Sequence, residues 1–256
     1  MDVLTPLIKV ENVGKQFGGL KVLNSISFEV KKGERIGIIG PNGAGKTTLF
    51  NMIAGDLEPS HGEIYYKGQL ITNLPNFKRV RCGIVRTFQK NNLLTNLTVL
   101  DNLLLVLQQK MNVEKIWFKS RISKKFLQVY EKADELLNTW GLFDRKDEAV
   151  KNLSYGEQRQ LEIILGIARE PEVLLLDEPT AGMSNAETKY ILRLLNELSK
   201  ELTILIIEHD MDVIFGLADK IIVLYNGEVL MEGDRETVLR DDRVREIYLG
   251  EEVLHA

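Results

Sequence analysis

The chain has 256 residues, 44% hydrophobic and 27% charged, enough for one large globular domain or one core carrying a smaller subdomain. Its formal net charge of -4 lacks the basic excess of a nucleic-acid footprint, so no nucleic-acid partner is expected. Cys82 is the single cysteine, which rules out an intramolecular disulfide and reads as a small buried apolar residue in a reducing compartment.

The N-terminus lacks a basic segment followed by an apolar run, and no stretch reaches the roughly 18 apolar residues of a spanning helix. A protein soluble when alone is expected. Short β-rich runs alternate with helical ones: Ile36 to Ile39, Ile84 to Phe88, Val173 to Leu176, Thr203 to Ile207 and Ile221 to Leu224. Several are apolar almost throughout, as strands covered on both faces are, which predicts an α/β fold with a mostly parallel core sheet. Ser25 to Val30 and Glu63 to Tyr66 instead alternate, which predicts an antiparallel, half-exposed sheet beside the core.

Residues 40 to 48 read Gly40-Pro41-Asn42-Gly43-Ala44-Gly45-Lys46-Thr47-Thr48, the pattern G-x-x-x-x-G-K-[ST], directly after the apolar run Arg-Ile-Gly-Ile-Ile. The glycines let successive N–H groups point inward, and a helix beginning near Lys46 adds its positive end. Lys46 is expected to reach the β- and γ-phosphates of a nucleotide, Thr47 to ligate Mg²⁺, and Thr48 to add a supporting donor.

From Val99 to Leu142 apolar residues recur at helical spacing, which predicts a helical insertion. The Lys- and Arg-rich stretch between its two helices carries Trp117 and Phe118; a surface for anionic lipid or a partner fits it, but a solvated linker anchored by that aromatic pair is the commoner case and the one expected. A single unit is expected: a catalytic core over 1–90 and 157–256 that includes the antiparallel β subdomain, and a helical subdomain over 91–156.

Further along, the run from Val173 ends in Asp177 and Glu178. Side chains alternate along an extended chain, so the two carboxylates leave in different directions. Asp177 is assigned to Mg²⁺, and Glu178 to orienting or deprotonating the attacking water. The run Thr-Ile-Leu-Ile-Ile ends similarly in Glu208, His209 and Asp210, which places His209 to contact the γ-phosphate and Glu178.

Leu153-Ser154-Tyr155-Gly156-Glu157-Gln158 resembles the signature motif of the ATP-binding cassette superfamily, usually Leu-Ser-Gly-Gly-Gln. With the glycine-rich loop, Gln89, Asp177-Glu178 and His209 in order, the resemblance covers essentially the whole chain. It implies a P-loop fold with a helical subdomain, working as a head-to-tail dimer of like or unlike cassettes. Each ATP is then held between one subunit's cradle and the other's Ser154, Gly156 and Glu157, with a helix starting at about Glu157. It also implies that Gln89 ligates Mg²⁺ and links the insertion to nucleotide state. Phe17 stands where the family places an aromatic on adenine, though a buried strand-end Phe fits the residues too. Two departures are visible: Tyr155 and Glu157 replace Gly and Gln, and Ala181-Gly182-Met183-Ser184 stands where many members have Ser-Ala-Leu-Asp. The usual cross-subunit aspartate contact does not carry over to Ser184.

Within the superfamily, the stretches around Phe17, Gln89, the signature and His209 look like bacterial cassettes that import branched-chain amino acids. Urea-type importers, lipopolysaccharide-export cassettes and soluble mechanical ATPases are the alternatives. That resemblance implies an ATPase at the cytoplasmic face of the bacterial inner membrane, peripheral and partnered by integral permease subunits, with a solute-binding protein acting indirectly. Leu93, Leu94 and Leu97 are read either as part of a groove for the permease or as core of the insertion.

Overall fold

The computed structural model describes residues 5–87, 93–111 and 124–247. Gln89, Trp117 and Phe118, and so the roles expected of them, lie outside the described residues. Ten strands are described: β1 Ile8–Phe17, β2 Leu20–Val30, β3 Arg35–Ile39, β4 His61–Tyr66, β5 Gln69–Leu70, β6 Ile84–Arg86, β7 Val173–Asp177, β8 Thr203–Ile207, β9 Lys220–Tyr225 and β10 Glu228–Gly233. The helices are α1 Lys46–Ala54, α2 Asn76–Cys82, α3 Val99–Lys110, α4 Lys124–Thr139, α5 Tyr155–Ile167, α6 Asn185–Glu197, α7 Met211–Leu217 and α8 Arg235–Arg240.

The core sheet runs β10-β9-β3-β8-β7-β6, and every pairing in it is parallel except β9 with β10. A second, antiparallel sheet runs β2-β1-β4-β5. The continuous apolar runs of β7 and β8 have a simple cause: alternate residues feed two different cores. Val173, Leu175, Leu205 and Ile207 pack with α1 and the antiparallel sheet. Leu174, Leu176, Ile204 and Ile206 pack on the other face with residues of α3, α4, α5, α6 and α7. Trp140, 2% exposed, closes α4 onto that second core, and Gln160 Nε2 of α5 donates to its carbonyl oxygen.

Local chemistry sets where the helices begin. Thr98, Ser154 and Ser184 each cap a helix through a reciprocal capping box with Asp101, Glu157 and Glu187. The signature helix therefore begins at Tyr155, two residues before the sequence expectation, because Ser154 caps it. Helix α1 ends differently from these. Arg79, 1% exposed, donates to the carbonyls of Met52, Ile53, Ile71, Thr72 and Leu74, satisfying orphan acceptors at the end of α1. Burial pushes its pKa down to about 10, against the opposing pull of Asp56.

Three readings change. Strand β1 is legible in the sequence only as a strand end at Phe17, because Asn12 has φ 49° and register shifts between Val10 and Val13 break its alternation. Cys82 is exposed at the end of α2, not buried. Leu93 belongs to the core at 7% exposure, whereas Leu94 and Leu97 are exposed.

Candidate nucleotide site

The strand ends assemble the site. β3, β7 and β8 run parallel, and their carboxyl ends deliver Gly40, Asp177-Glu178 and Glu208-His209 to the same edge of the sheet. Gly40 follows β3 so closely beside β9 that a Cβ there would stand 2.1 Å from the Leu224 carbonyl oxygen. Only glycine fits, and the loop can leave the sheet at that point.

Gly43 and Gly45 have φ of 82° and 100°, and Gly45 precedes α1 without any side-chain cap. The first N–H groups of α1 are thus left for an acceptor outside the helix, with the helix's positive end behind them. Lys46, largely buried, donates to the Gly40 carbonyl at 2.6 Å and the Pro41 carbonyl at 3.1 Å. Its ammonium is held over the curl of the loop. Pro41 is half-buried, Asn42 exposed, Ala44 buried, and Thr47 and Thr48 half-buried at the start of α1.

Asp177 and Glu178 do separate. Asp177 lies on the α1 side, 1% exposed, and its Oδ2 accepts from Arg86 Nη2 at 2.6 Å. Arg86 also donates through Nη1 to Asn51 Oδ1 of α1 and pairs with Asp56 at 3.3 Å. Glu178 faces the other way, with Oε1 3.0 Å from His209 Nε2. Its backbone has φ 48°, and its N–H donates to the Ile207 carbonyl at 2.9 Å.

The Asp177 Oδ1 atom is buried and has no hydrogen-bond partner among the described residues. An orphaned anionic oxygen at the carboxyl edge of the sheet, the edge from which the phosphate loop also departs, fits a hard, oxygen-seeking cation such as Mg²⁺. Among the described residues no group of three or more His, Cys, Asp or Glu is arranged to hold a metal, so such a cation would depend on nucleotide oxygens as well.

The second half of the expected site sits at the start of α5. The Ser154 hydroxyl accepts from the Glu157 N–H at 3.2 Å, which leaves its own proton to donate. Glu157 is turned to its own chain: Oε2 accepts from the Ser154 N–H at 2.8 Å, and Oε1 pairs with Arg145 at 3.2 Å. A Cβ on Gly156 would lie 2.5 Å from Glu187 Oε1, so a side chain there would push aside the end of the Glu187 side chain. Tyr155 is exposed, with its ring edge 2.9 Å from the position of a Cβ on Gly182. Phe17 is 48% exposed at the end of β1, which excludes the buried strand-end reading; Lys15 Nζ lies 5.1 Å from its ring centre.

Sequence reasoning missed Arg86 and the role of Glu208, which accepts from the Thr180 N–H and hydroxyl at 2.8 and 2.6 Å. Both are single polar residues at the end of a strand. Only the parallel order of the sheet shows what they meet.

A mostly parallel sheet with a glycine-rich loop, an adjacent carboxylate pair and a histidine at its carboxyl edge defines a P-loop nucleotide-binding cassette. The chain belongs to the ABC transporter family, whose model matches residues 23–181. It is 38% identical over 254 residues to the high-affinity branched-chain amino acid transport ATP-binding protein LivG of Salmonella typhimurium, covering 96% of this chain and 98% of that one. To BraF of Pseudomonas aeruginosa, described in the same terms, it is 35% identical over 251 residues, with coverage of 96% and 98%. The ADP conformation of the ATP-binding cassette MJ1267 superposes with a TM-score of 0.81 at 35% identity, over 96% of this chain and 99% of that one. A dimeric post-hydrolysis cassette, MJ0796 with ADP and Pi, does so at 0.75 and 27%, over 89% and 98%.

Proposed function

We propose that this cassette hydrolyses Mg·ATP as one half of a two-site dimer and so energises import of branched-chain or similar small amino acids through separate membrane subunits. The observation that carries the hydrolytic part is the Glu178–His209 contact at 3.0 Å, set on the opposite side of the strand end from the orphaned Asp177 oxygen. Asp177 and Thr47, together with Gln89, would hold Mg²⁺, which would supply charge neutralisation for the triphosphate.

The residues divide the work. Backbone N–H groups from Gly43 to Thr48 and the Lys46 ammonium grip the triphosphate, with Pro41, Asn42 and Ala44 shaping the curl. Phe17 stacks on adenine. Glu178 orients a water in line with the γ-phosphorus and takes its proton as the new P–O bond forms and the bond to the β–γ bridging oxygen breaks, releasing ADP and phosphate. His209 holds the Glu178 carboxylate and senses the γ-phosphate. Ser154 and the start of α5 close on the nucleotide of a second cassette, so one chain alone does not complete its site. Glu157 acts through Ser154, whose N–H it holds.

The solute's identity rests on the named relatives, since nothing in a nucleotide site recognises an amino acid. The helical subdomain over 91–156, on which Leu94 and Leu97 are exposed, is the surface we assign to the permease. Among the described residues no helix is long and apolar enough to cross a membrane, which suits a subunit held peripherally at the cytoplasmic face of the bacterial inner membrane. A solute-binding protein would act on the other side.

The test is Glu178→Gln. It should bind Mg·ATP and accumulate as a closed dimer on size exclusion while turnover falls about a thousandfold, the scale of losing a general base. Turnover at the wild-type rate would remove Glu178 from its role.

A further inference from the structure

Glu208 is 4% exposed, and both of its carboxylate oxygens are engaged by neutral donors. Oε1 accepts from the Thr180 N–H at 2.8 Å and from the Thr180 hydroxyl at 2.6 Å, and Oε2 accepts from the His209 N–H at 3.1 Å. A buried carboxylate held this way is costly to desolvate, and nothing in the phosphate-gripping or metal-holding scheme uses it.

Its partners explain its position. Thr180 lies two residues after Glu178, and His209 is the residue that touches Glu178 Oε1. Glu178 itself is an L residue at φ 48°, a conformation that persists only where the surroundings impose it. The surroundings here are few: the Glu178 N–H on the Ile207 carbonyl at 2.9 Å, the Ala181 N–H on the Glu178 carbonyl at 3.2 Å, and the Glu208 grip on Thr180. Glu208 therefore ties the loop leaving β7 to the loop leaving β8, two residues from Glu178 and one from His209.

We infer that Glu208 is a positioning residue for hydrolysis: its carboxylate latches Thr180 and the His209 backbone so that Glu178 keeps its left-handed backbone and stays within hydrogen-bond reach of His209. This deepens the hydrolytic reading above and rests on it. The latch acts on the transition state and not on the grip of the triphosphate, because the Glu208 carboxylate bonds to Thr180 and the His209 backbone, whereas the phosphate loop hangs from β3 and α1 and is held by Lys46 on the Gly40 and Pro41 carbonyls.

Four full-length variants test this, each measured for steady-state ATP hydrolysis, affinity for a fluorescent ATP analogue and thermal midpoint. Glu208→Ala should lower kcat about tenfold or more, as misplacement of a reacting group does, while ATP affinity stays within about twofold. Glu208→Gln keeps an amide oxygen able to accept both Thr180 donors but turns an NH2 toward the His209 N–H, so it should recover part of the rate lost in Glu208→Ala. Thr180→Val removes one donor and leaves Glu208 in place, so it should fall between them and decides the matter if Glu208→Ala does not fold. Wild-type kcat in Glu208→Ala or, failing that, in Thr180→Val overturns the inference. So does a parallel fall of kcat, affinity and thermal midpoint that Glu208→Gln does not relieve. Glu178→Gln serves as reference: at wild-type rate it overturns the hydrolytic reading itself, whereas an inactive Glu178→Gln beside a fully active Glu208→Ala overturns the latch alone.

Discussion

Arg86 Nη2 stands 2.6 Å from Asp177 Oδ2, and both side chains are buried, at 7% and 0% exposure. Removing the guanidinium would strand a carboxylate away from water. Arg86→Ala should therefore cost about 3–5 kcal/mol of stability, the range for breaking a buried pair from one side. Urea unfolding monitored by circular dichroism measures it. Lysine offers a point charge that cannot serve Asp177 and Asn51 together, so Arg86→Lys should restore only part. A loss below about 1 kcal/mol in the alanine variant would place the pair's energetics at surface level.

Arg79 is held by five carbonyls and no carboxylate. Arg79→Met keeps the stem but leaves those acceptors unsatisfied, and it should destabilise by about 3–5 kcal/mol. Chemical denaturation is the measurement. An unchanged midpoint would mean that water replaces the guanidinium at the end of α1.

A third expectation concerns acid. The Ser184 hydroxyl and N–H hold the Glu187 carboxyl below its ordinary value of 4.5. A depressed folded-state pKa contributes stability that is present above 4.5 and is lost as pH falls through the lower, folded value. The stability gap between wild type and Glu187→Gln should thus be open at pH 6 and close as pH falls below about 4.5. Thermal midpoints collected along that series read it, and a gap independent of pH would contradict the assignment.

Ser154→Arg places a long cation where the cap of α5 meets a second cassette. Turnover should fall about a hundredfold or more, the scale of losing an oxyanion donor, while binding of nucleotide to the isolated chain stays within about twofold. Equal loss of both would argue that the site is completed within one chain.

How much of this the residues announced depends on distance along the chain. The phosphate loop, Asp177-Glu178 and the Ser154 cap are contiguous patterns whose geometry is local, so they read directly. Phe17 was ambiguous because exposure at the end of β1 depends on what packs there, and the alternation of β1 itself is broken at Asn12. Arg86 and Asp177 are 91 residues apart, and Arg79 reaches carbonyls 26 and 27 residues back. No periodicity links such pairs. They become neighbours only because β6 lies beside β7 and α2 folds back under α1. Ser184 shows the reverse case: set against the family pattern it looked like a lost contact, yet it makes the capping box that starts α6.

The two margins of the core sheet bear on how copies of this chain can associate. One is β6, only three residues long and buried throughout. The other, β10, is met at its turn by β2, where the Asn24 N–H donates to the Gly227 carbonyl at 2.7 Å and the Asn24 amide to Glu228. The β6 margin thus offers few amides to a further strand, and β10, six residues long and held at its turn, is the margin where growth by strand addition, the usual route to aggregates of sheet proteins, would have to begin.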